Sequence, residues 1–151
     1  MPEIVCWQNT LRYYGARPEV LEKYRQIEQS GKCPFCPDGV KEGGFEVVGE
    51  TRSWTLVVNQ FPYKGSVVHL LMLPKRHIVA SSEITIPEWD QWPMVLGIAK
   101  DKYPALKDGF GLGMREGVLG GVTLHHLHFH IIMPKSNSEG GAEIQVNFGI
   151  G

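Results

Sequence analysis

Between Thr123 and Pro134 the chain reads TLHHLHFHIIMP, which puts His125, His126, His128 and His130 into six residues. His126, His128 and His130 are spaced by two and backed by Leu127, Phe129 and Ile131. In an extended segment successive side chains point to opposite faces, so the three imidazoles share one face and the apolar residues the other. Neighbouring rings on such a row stand roughly 7 Å apart, close enough to sense each other's charge and to hold one small anion such as phosphate. Protonating all three together is disfavoured, so a neutral ring beside donating neighbours is the expected resting state near neutral pH. A neutral imidazole is a nucleophile. The same H-x-H spacing also supplies two ligands to zinc, with a third from elsewhere, and spacing alone leaves both chemistries open. A strand facing water accounts for one histidine there but not for three in register. All six histidines of the chain fall into two groups, His69 with His77 and then His125 to His130.

Cysteine supplies the second chemical signal. Cys33-Pro-Phe-Cys36 has a spacing suited to a metal or a redox centre, and three cysteines in total do not make a disulfide framework. No βαβ pattern surrounds the pair, and Pro and Phe fill the gap in the manner of zinc knuckles. Zinc takes four ligands, so two thiolates would need two partners. Cys6, alone near the N-terminus, is given no such role.

Bulk properties bound the rest. A chain of 151 residues is about one domain, and 21% charged residues, 42% hydrophobic residues and a net charge of -1 exclude a disordered chain or a general binder of nucleic acid polymers. The N-terminus lacks a signal pattern and no apolar run approaches the roughly 20 residues of a membrane span, so a cytoplasmic protein is expected. There is no GxGxxG or Walker loop. Gly117, Gly120 and Gly121 are too irregular for a phosphate motif, although such a turn can still lend backbone N–H groups to an anion.

RPEVLEKYRQIEQSGK places Val20, Leu21, Tyr24 and Ile27 at helical spacing between Pro18 and Gly31, which predicts a short amphipathic helix leading into the cysteine loop. From Phe45, FEVVGETRSWTLVVNQFP is β-branched and aromatic with a polar break from Gly49 to Arg52, the pattern of a hairpin. SVVHLLMLP predicts a third strand, stopped by Pro74. TIPEWDQWPMVLGIAKDKYPAL sets Trp89, Trp92, Leu96, Ala99 and Tyr103 on one helical face, with Thr85 and Pro87 at its start and Pro93 kinking it or shifting its beginning. FGLGMRE and Thr123 to Met133 predict two further strands, and the tail beyond Pro134 a loop with one edge strand. This order argues for α+β with a mostly antiparallel sheet, and no internal repeat interrupts it.

His126-Leu127-His128-Phe129-His130-Ile131-Ile132 matches position for position the H-φ-H-φ-H-φ-φ signature, with φ apolar, of the histidine triad (HIT) proteins, nucleotide hydrolases and transferases. LVVNQFPYKGSVVHLLMLPKRHI is similar to the family's earlier stretch, where Asn or Asp before a proline leads to a strand bearing a histidine and ends in P-K-x-H. The resemblance spans about Cys33 to Pro134. It implies one HIT-like domain over residues 1–151, with about five mostly antiparallel strands and two main helices, residues 1–40 carrying the helix and cysteine loop and 135–151 a tail, and a homodimer. It further implies that His128 attacks the α-phosphorus of a dinucleoside polyphosphate or nucleoside phosphoramidate and carries the nucleotidyl group. His126 and His130 would surround the α-phosphate, with His69 a further active-site histidine.

By the same resemblance Asn59 stands where ribose hydroxyls are contacted, Thr123 where a hydroxyl donates to the transferred phosphate, and a backbone carbonyl just after the centre of the triad strand orients His128. Arg115 replaces the family's usual Asn, Gly121-Val122-Thr123-Leu124 replaces G-Q-S-x, and the segment from Pro62 to His69 is about two residues longer, so substrate contacts there are expected to differ. His130, in place of Gln, points away from transfer between sugar phosphates and towards hydrolysis or phosphorolysis. Zinc-bearing members complete their cysteine pair with the histidine of P-K-x-H and the first of the triad. Those positions are His77 and His126, and the resulting site would be structural. The rival functions are a nucleotide-binding regulator of low turnover and a metal-dependent hydrolase using the H-x-H-x-H row as ligands. Trp89 and Trp92 are read as core or interface, Phe61 and Tyr63 as packing or the border of a purine pocket, and Lys75 and Arg76 as solvated or in reach of phosphates.

Overall fold

In a computed structural model, which describes residues 3–150, five strands form one antiparallel sheet: β1 (Val47–Glu50), β2 (Trp54–Val58), β3 (Ser66–Pro74), β4 (Gly111–Met114) and β5 (Phe129–Pro134). Their spatial order is β1-β2-β3-β5-β4, so the long apolar β3 and the histidine-bearing β5 lie side by side at the centre. The α+β expectation holds, and so does the expected number of strands.

Five helices accompany the sheet: α1 (Trp7–Tyr14), α2 (Pro18–Ser30), α3 (Pro37–Glu42), α4 (Ile86–Trp89) and α5 (Trp92–Lys102). α2 has the predicted ends. Pro18 opens its first turn, and Gly31, at φ 65°, closes it by donating its N–H to the Glu28 carbonyl. The single helix expected from Thr85 splits into α4 and α5. Pro93 offers no N–H, and its ring would strike the carbonyl four residues back, so the first segment stops at Trp89. The Gln91 amide holds the break, accepting from Thr51 Oγ1 at 2.7 Å and Ser53 N at 2.8 Å and donating to the Pro87 carbonyl at 3.0 Å.

Alternation along the strands makes two apolar layers. One face carries Leu56, Leu70, Met72, Leu127, Phe129 and Ile131 against Val95 and Ala99 of α5. Trp92 packs there on Trp54 and Phe129. The other face carries Val57, Leu71, Leu73 and Leu124 against Val5, Val20 and Tyr24, and it tethers the N-terminal helices. Each such buried aliphatic side chain contributes about 1.5–3 kcal/mol.

α1 was not expected. Its eight residues are too few for a helix stable alone, and tertiary anchors hold it. Val5 bridges Leu124, Cys6 N donates to the Thr123 carbonyl, His125 N donates to the Ile4 carbonyl, and Asn9 Nδ2 donates to the Val118 and Val122 carbonyls. The N-terminal segment is thus laced to the stretch that leads into the histidines. That stretch corrects the expected strand from Thr123: β-ladder pairing in the triad begins only at Phe129, because the backbone before it is engaged by Ile4, Val5 and the Ile78 carbonyl. The tail forms no edge strand among the described residues. It turns at Asn137–Gly141 and lies back across the sheet, with Ile144 over Gly65 and Phe148 over Gly113. No helix among the described residues is long and apolar enough to cross a membrane.

Candidate active site

β3 and β5 present His69 and His130 on the face opposite the α5 core, since Leu70, Met72, Phe129 and Ile131 claim that core. His69 Nε2 and His130 Nδ1 lie 2.9 Å apart. The Tyr63 backbone N–H donates to His69 Nδ1 at 3.0 Å, so His69 carries its proton on Nε2 and donates it to His130 Nδ1. His130 must then carry its own proton on Nε2. That atom is buried and has no hydrogen-bond partner within the protein. A fully formed donor is therefore held in place with nothing to donate to. Asn59 Nδ2 lies over the His69 ring, 3.4 and 3.1 Å from its two nitrogens, and its Oδ1 accepts from Phe61 N.

His128 has the opposite tautomer. Its Nδ1–H donates to the His126 carbonyl at 2.7 Å, leaving the lone pair on Nε2. The expected orienting carbonyl just after the strand's centre is replaced by one two residues before the ring. The geometric cause is the irregular backbone ahead of Phe129, which turns that carbonyl towards the ring. Burial pushes the His128 pKa down, and Arg115 adds to this. Burial and His128 bring His69 down to about 4, and burial, His128, His69 and Arg115 hold His130 well below the usual imidazole range. All three rings are neutral near pH 7. Phe35 packs edge-on against His128 at 5.0 Å, and His130 sits 5.0 Å from His128 on the other side.

His128, His130 and Phe35 border a cleft of about 860 Å³, a size suited to a ligand as large as a nucleotide, with His69 behind His130. Asn59, Phe61, Tyr63, Arg115 and Thr123 line it, together with Tyr14 and Tyr24 from the N-terminal helices. Thr123 Oγ1 shares a hydrogen bond with Tyr24 at 2.9 Å. Lys75 and Arg76 are elsewhere: Lys75 faces Glu50, and Arg76 is paired with Glu88.

His126 is drawn to a different neighbourhood. Its Nε2–H donates to the Pro74 carbonyl at 2.9 Å, while Nδ1 faces Cys33 Sγ at 3.3 Å, Cys36 Sγ at 3.6 Å and His77 Nδ1 at 3.2 Å. Cys36 Sγ lies 3.4 Å from His77 Nδ1, and the four donor atoms all fall within 4.8 Å of one another. The Cys33 loop closes tightly enough that a side chain at Gly39 would meet the Cys33 carbonyl. Among the described residues this is the one group of three or more such donors whose atoms converge.

The structure therefore brings His69, His128 and His130 together, adds Asn59, Thr123 and Arg115 along the same cleft, and places Cys33, Cys36, His77 and His126 beside it. Sequence reasoning missed the Tyr63 N–H that sets the relay, Phe35 as the packing face of His128, and Tyr24 behind Thr123. Only the apolar residue between the two cysteines was a visible signal for any of them.

A family model described as the HIT domain matches residues 41–137, more than half of the chain. The chain belongs to the HIT domain family. Among solved structures it resembles a hypothetical histidine triad nucleotide-binding protein from Sulfolobus tokodaii, 26% identical with a TM-score of 0.58, over 76% of this chain and 72% of that one. A hypothetical protein from Leishmania major is 25% identical with a TM-score of 0.53, over 72% and 77%. A Plasmodium falciparum diadenosine triphosphate hydrolase, solved with cyclomarin A, is 23% identical with a TM-score of 0.51 over 62% and 63%, and there the likeness is one of fold alone. The HIT match begins at Lys41, so α1, α2 and the cysteine loop precede the shared domain.

Proposed function

We propose that this HIT protein is a nucleotide hydrolase, or a nucleotidyl transferase to another acceptor, acting at the α-phosphate of a dinucleoside polyphosphate or nucleoside phosphoramidate through a nucleotidyl-His128 intermediate. The observation that carries the reading is the opposed tautomers: an in-cleft lone pair on His128 Nε2 beside an unpartnered N–H on His130 Nε2. The lone pair forms an N–P bond as the bond from phosphorus to the leaving group breaks, and the leaving group departs with its electron pair. The ring then carries a positive charge, which the His126 carbonyl stabilises through Nδ1–H. His130 donates to a phosphate oxygen throughout, and His69 holds it in the donating tautomer. Water next attacks phosphorus, the pair returns to Nε2, and nucleoside monophosphate and a proton are released. Asn59 borders the ribose, and Thr123 and Arg115 the phosphates. Replacing His128 by Ala should remove nearly all turnover and leave nucleotide binding. Turnover surviving the replacement would refute the intermediate, and a wild-type chain that binds without turnover would be a regulator.

Cys33, Cys36, His77 and His126 fit a zinc ion. Two Nδ1 atoms 3.2 Å apart and two sulfurs, all within 4.8 Å of one another, form a convergent set of four donors of the number and kind that zinc takes. Thiolates and neutral imidazoles are the donors zinc prefers, and the Pro74 carbonyl fixes the His126 tautomer. Without a cation, burial and Cys33 push the Cys36 thiol up to about 12. A zinc ion bound there would supply a closed crosslink and no chemistry in the cleft. The reading also includes a cytoplasmic homodimer, which sedimentation of the purified chain tests.

A further inference from the structure

Arg115 is an anomaly in its own site. It is only 8% exposed, and among the described residues no carboxylate lies within ion-pair distance of it. Its guanidinium is caged by aromatic rings, 4.3 Å from the Phe148 centroid and 5.9 Å from those of Tyr13 and Tyr63. Nε reaches Tyr63 Oη at 3.3 Å, and one terminal nitrogen donates to the Gly120 and Gly149 carbonyls. Its other terminal nitrogen has no hydrogen bond to the described residues, and Arg115 lines the cleft. A buried cation without a counter-ion is costly, and Arg115 faces a cleft from which an anionic ligand group can offset that cost. Beside it stands the second unsatisfied donor, His130 Nε2, with Tyr63 and Phe148 packed on the same ring.

Phe35 packs on His128, whereas the Tyr63 and Phe148 rings that cage Arg115 pack on His130. A phosphorus atom attacked by His128 has the nucleoside on one arm and the leaving group on the other. We infer that Arg115 is the receptor for a phosphate in the leaving group, so that the site selects substrates in which the group expelled is itself a phosphate or polyphosphate ester. Such a group departs as an anion and needs charge stabilisation more than a proton, and a planar guanidinium supplies that with two parallel donors. A bare amine leaving group gains nothing from it. The Gly149 carbonyl now takes one of these donors, so phosphate binding exchanges the contact with residues 148–149 for a phosphate oxygen.

This assignment rests on the nucleotide reading of the site, and the test keeps the two apart. Wild-type protein is titrated calorimetrically with purine and pyrimidine nucleoside 5′-monophosphates and with the matching non-hydrolysable α,β-methylene diphosphates. The diphosphate is expected to bind about tenfold or more tighter, and Arg115→Gln, checked for an unchanged melting transition, to lose that preference. Arg115→Lys keeps the charge without the fork and should retain part of it. Equal binding of mono- and diphosphate by the wild type, or a preference that survives Arg115→Gln, overturns the assignment and leaves the nucleotide site standing. Binding of neither sinks both.

Discussion

Two groups of imidazoles lie side by side in this protein and are arranged differently. At the cleft, His69 donates a hydrogen bond to His130, and His128 keeps a lone pair on Nε2, so that a donor and an acceptor are left over for a ligand. In the corner beside it, the Nδ1 atoms of His77 and His126 face each other and two sulfurs. The ring chemistry is identical in both. What differs is the partner of the second nitrogen: a carbonyl at Nδ1 leaves the lone pair of His128 on Nε2, and a carbonyl at Nε2 turns Nδ1 of His126 to the cysteines. The backbone thus decides which nitrogen each histidine presents.

The sharpest way to break this contrast is to exchange its consequences. His128→Ala should lower turnover by about 10³-fold or more while the cysteine corner keeps its metal, measured by steady-state kinetics and elemental analysis of the same sample. Cys33→Ser, or chelation, should do the reverse. It should cost stability first, on the order of 3 kcal/mol, with activity falling only as the loop that carries Phe35 loosens. A melting transition indifferent to both would mean that the corner holds no structural ion.

Smaller changes test the parts that hold each group. His69→Ala leaves His130 free to turn, and kcat should fall about 10–100-fold with KM little changed. If only KM responds, the relay is not what sets the His130 proton.

A last, weaker probe is pH. Arg76, beside His77, grips Glu88 with two hydrogen bonds of 3.0 Å, and Arg76 first, then Thr85, lowers the Glu88 pKa from 4.5 to about 2. A carboxylate whose folded pKa lies below its unfolded one adds stability that is fully present above the unfolded value and is lost as pH falls through the folded one. Stability should therefore decline between about 4.5 and about 2, by about 1 kcal/mol given that Arg76 is half exposed. Acid unfolding of Glu88→Gln compared with the wild type reads it.

What the sequence made legible was local. The run SVVHLLMLP became β3 with the expected Pro74 stop, Pro18 and Gly31 bounded α2, and the spacing of His126, His128 and His130 set which side of the chain each ring leaves. The clusters needed more, because a tautomer depends on a hydrogen bond from another element. Tyr63 reaches His69 across six residues, and Pro74 reaches His126 across 52. α1 and the returning tail were illegible for the same reason: Asn9 is anchored 109 and 113 residues away, and Phe148 takes its place from Gly113 and Arg115. Pairings of that separation leave no periodic trace.

The measurement closest to the central claim is a rapid quench of enzyme with excess substrate into denaturant at alkaline pH, followed by intact mass and peptide mapping. A mass increment equal to one nucleoside monophosphate less one water, carried by the peptide containing His128 and lost on later exposure to acid, is the predicted result. An adduct on His126 or on no residue at all, with turnover undiminished in His128→Ala, would contradict it.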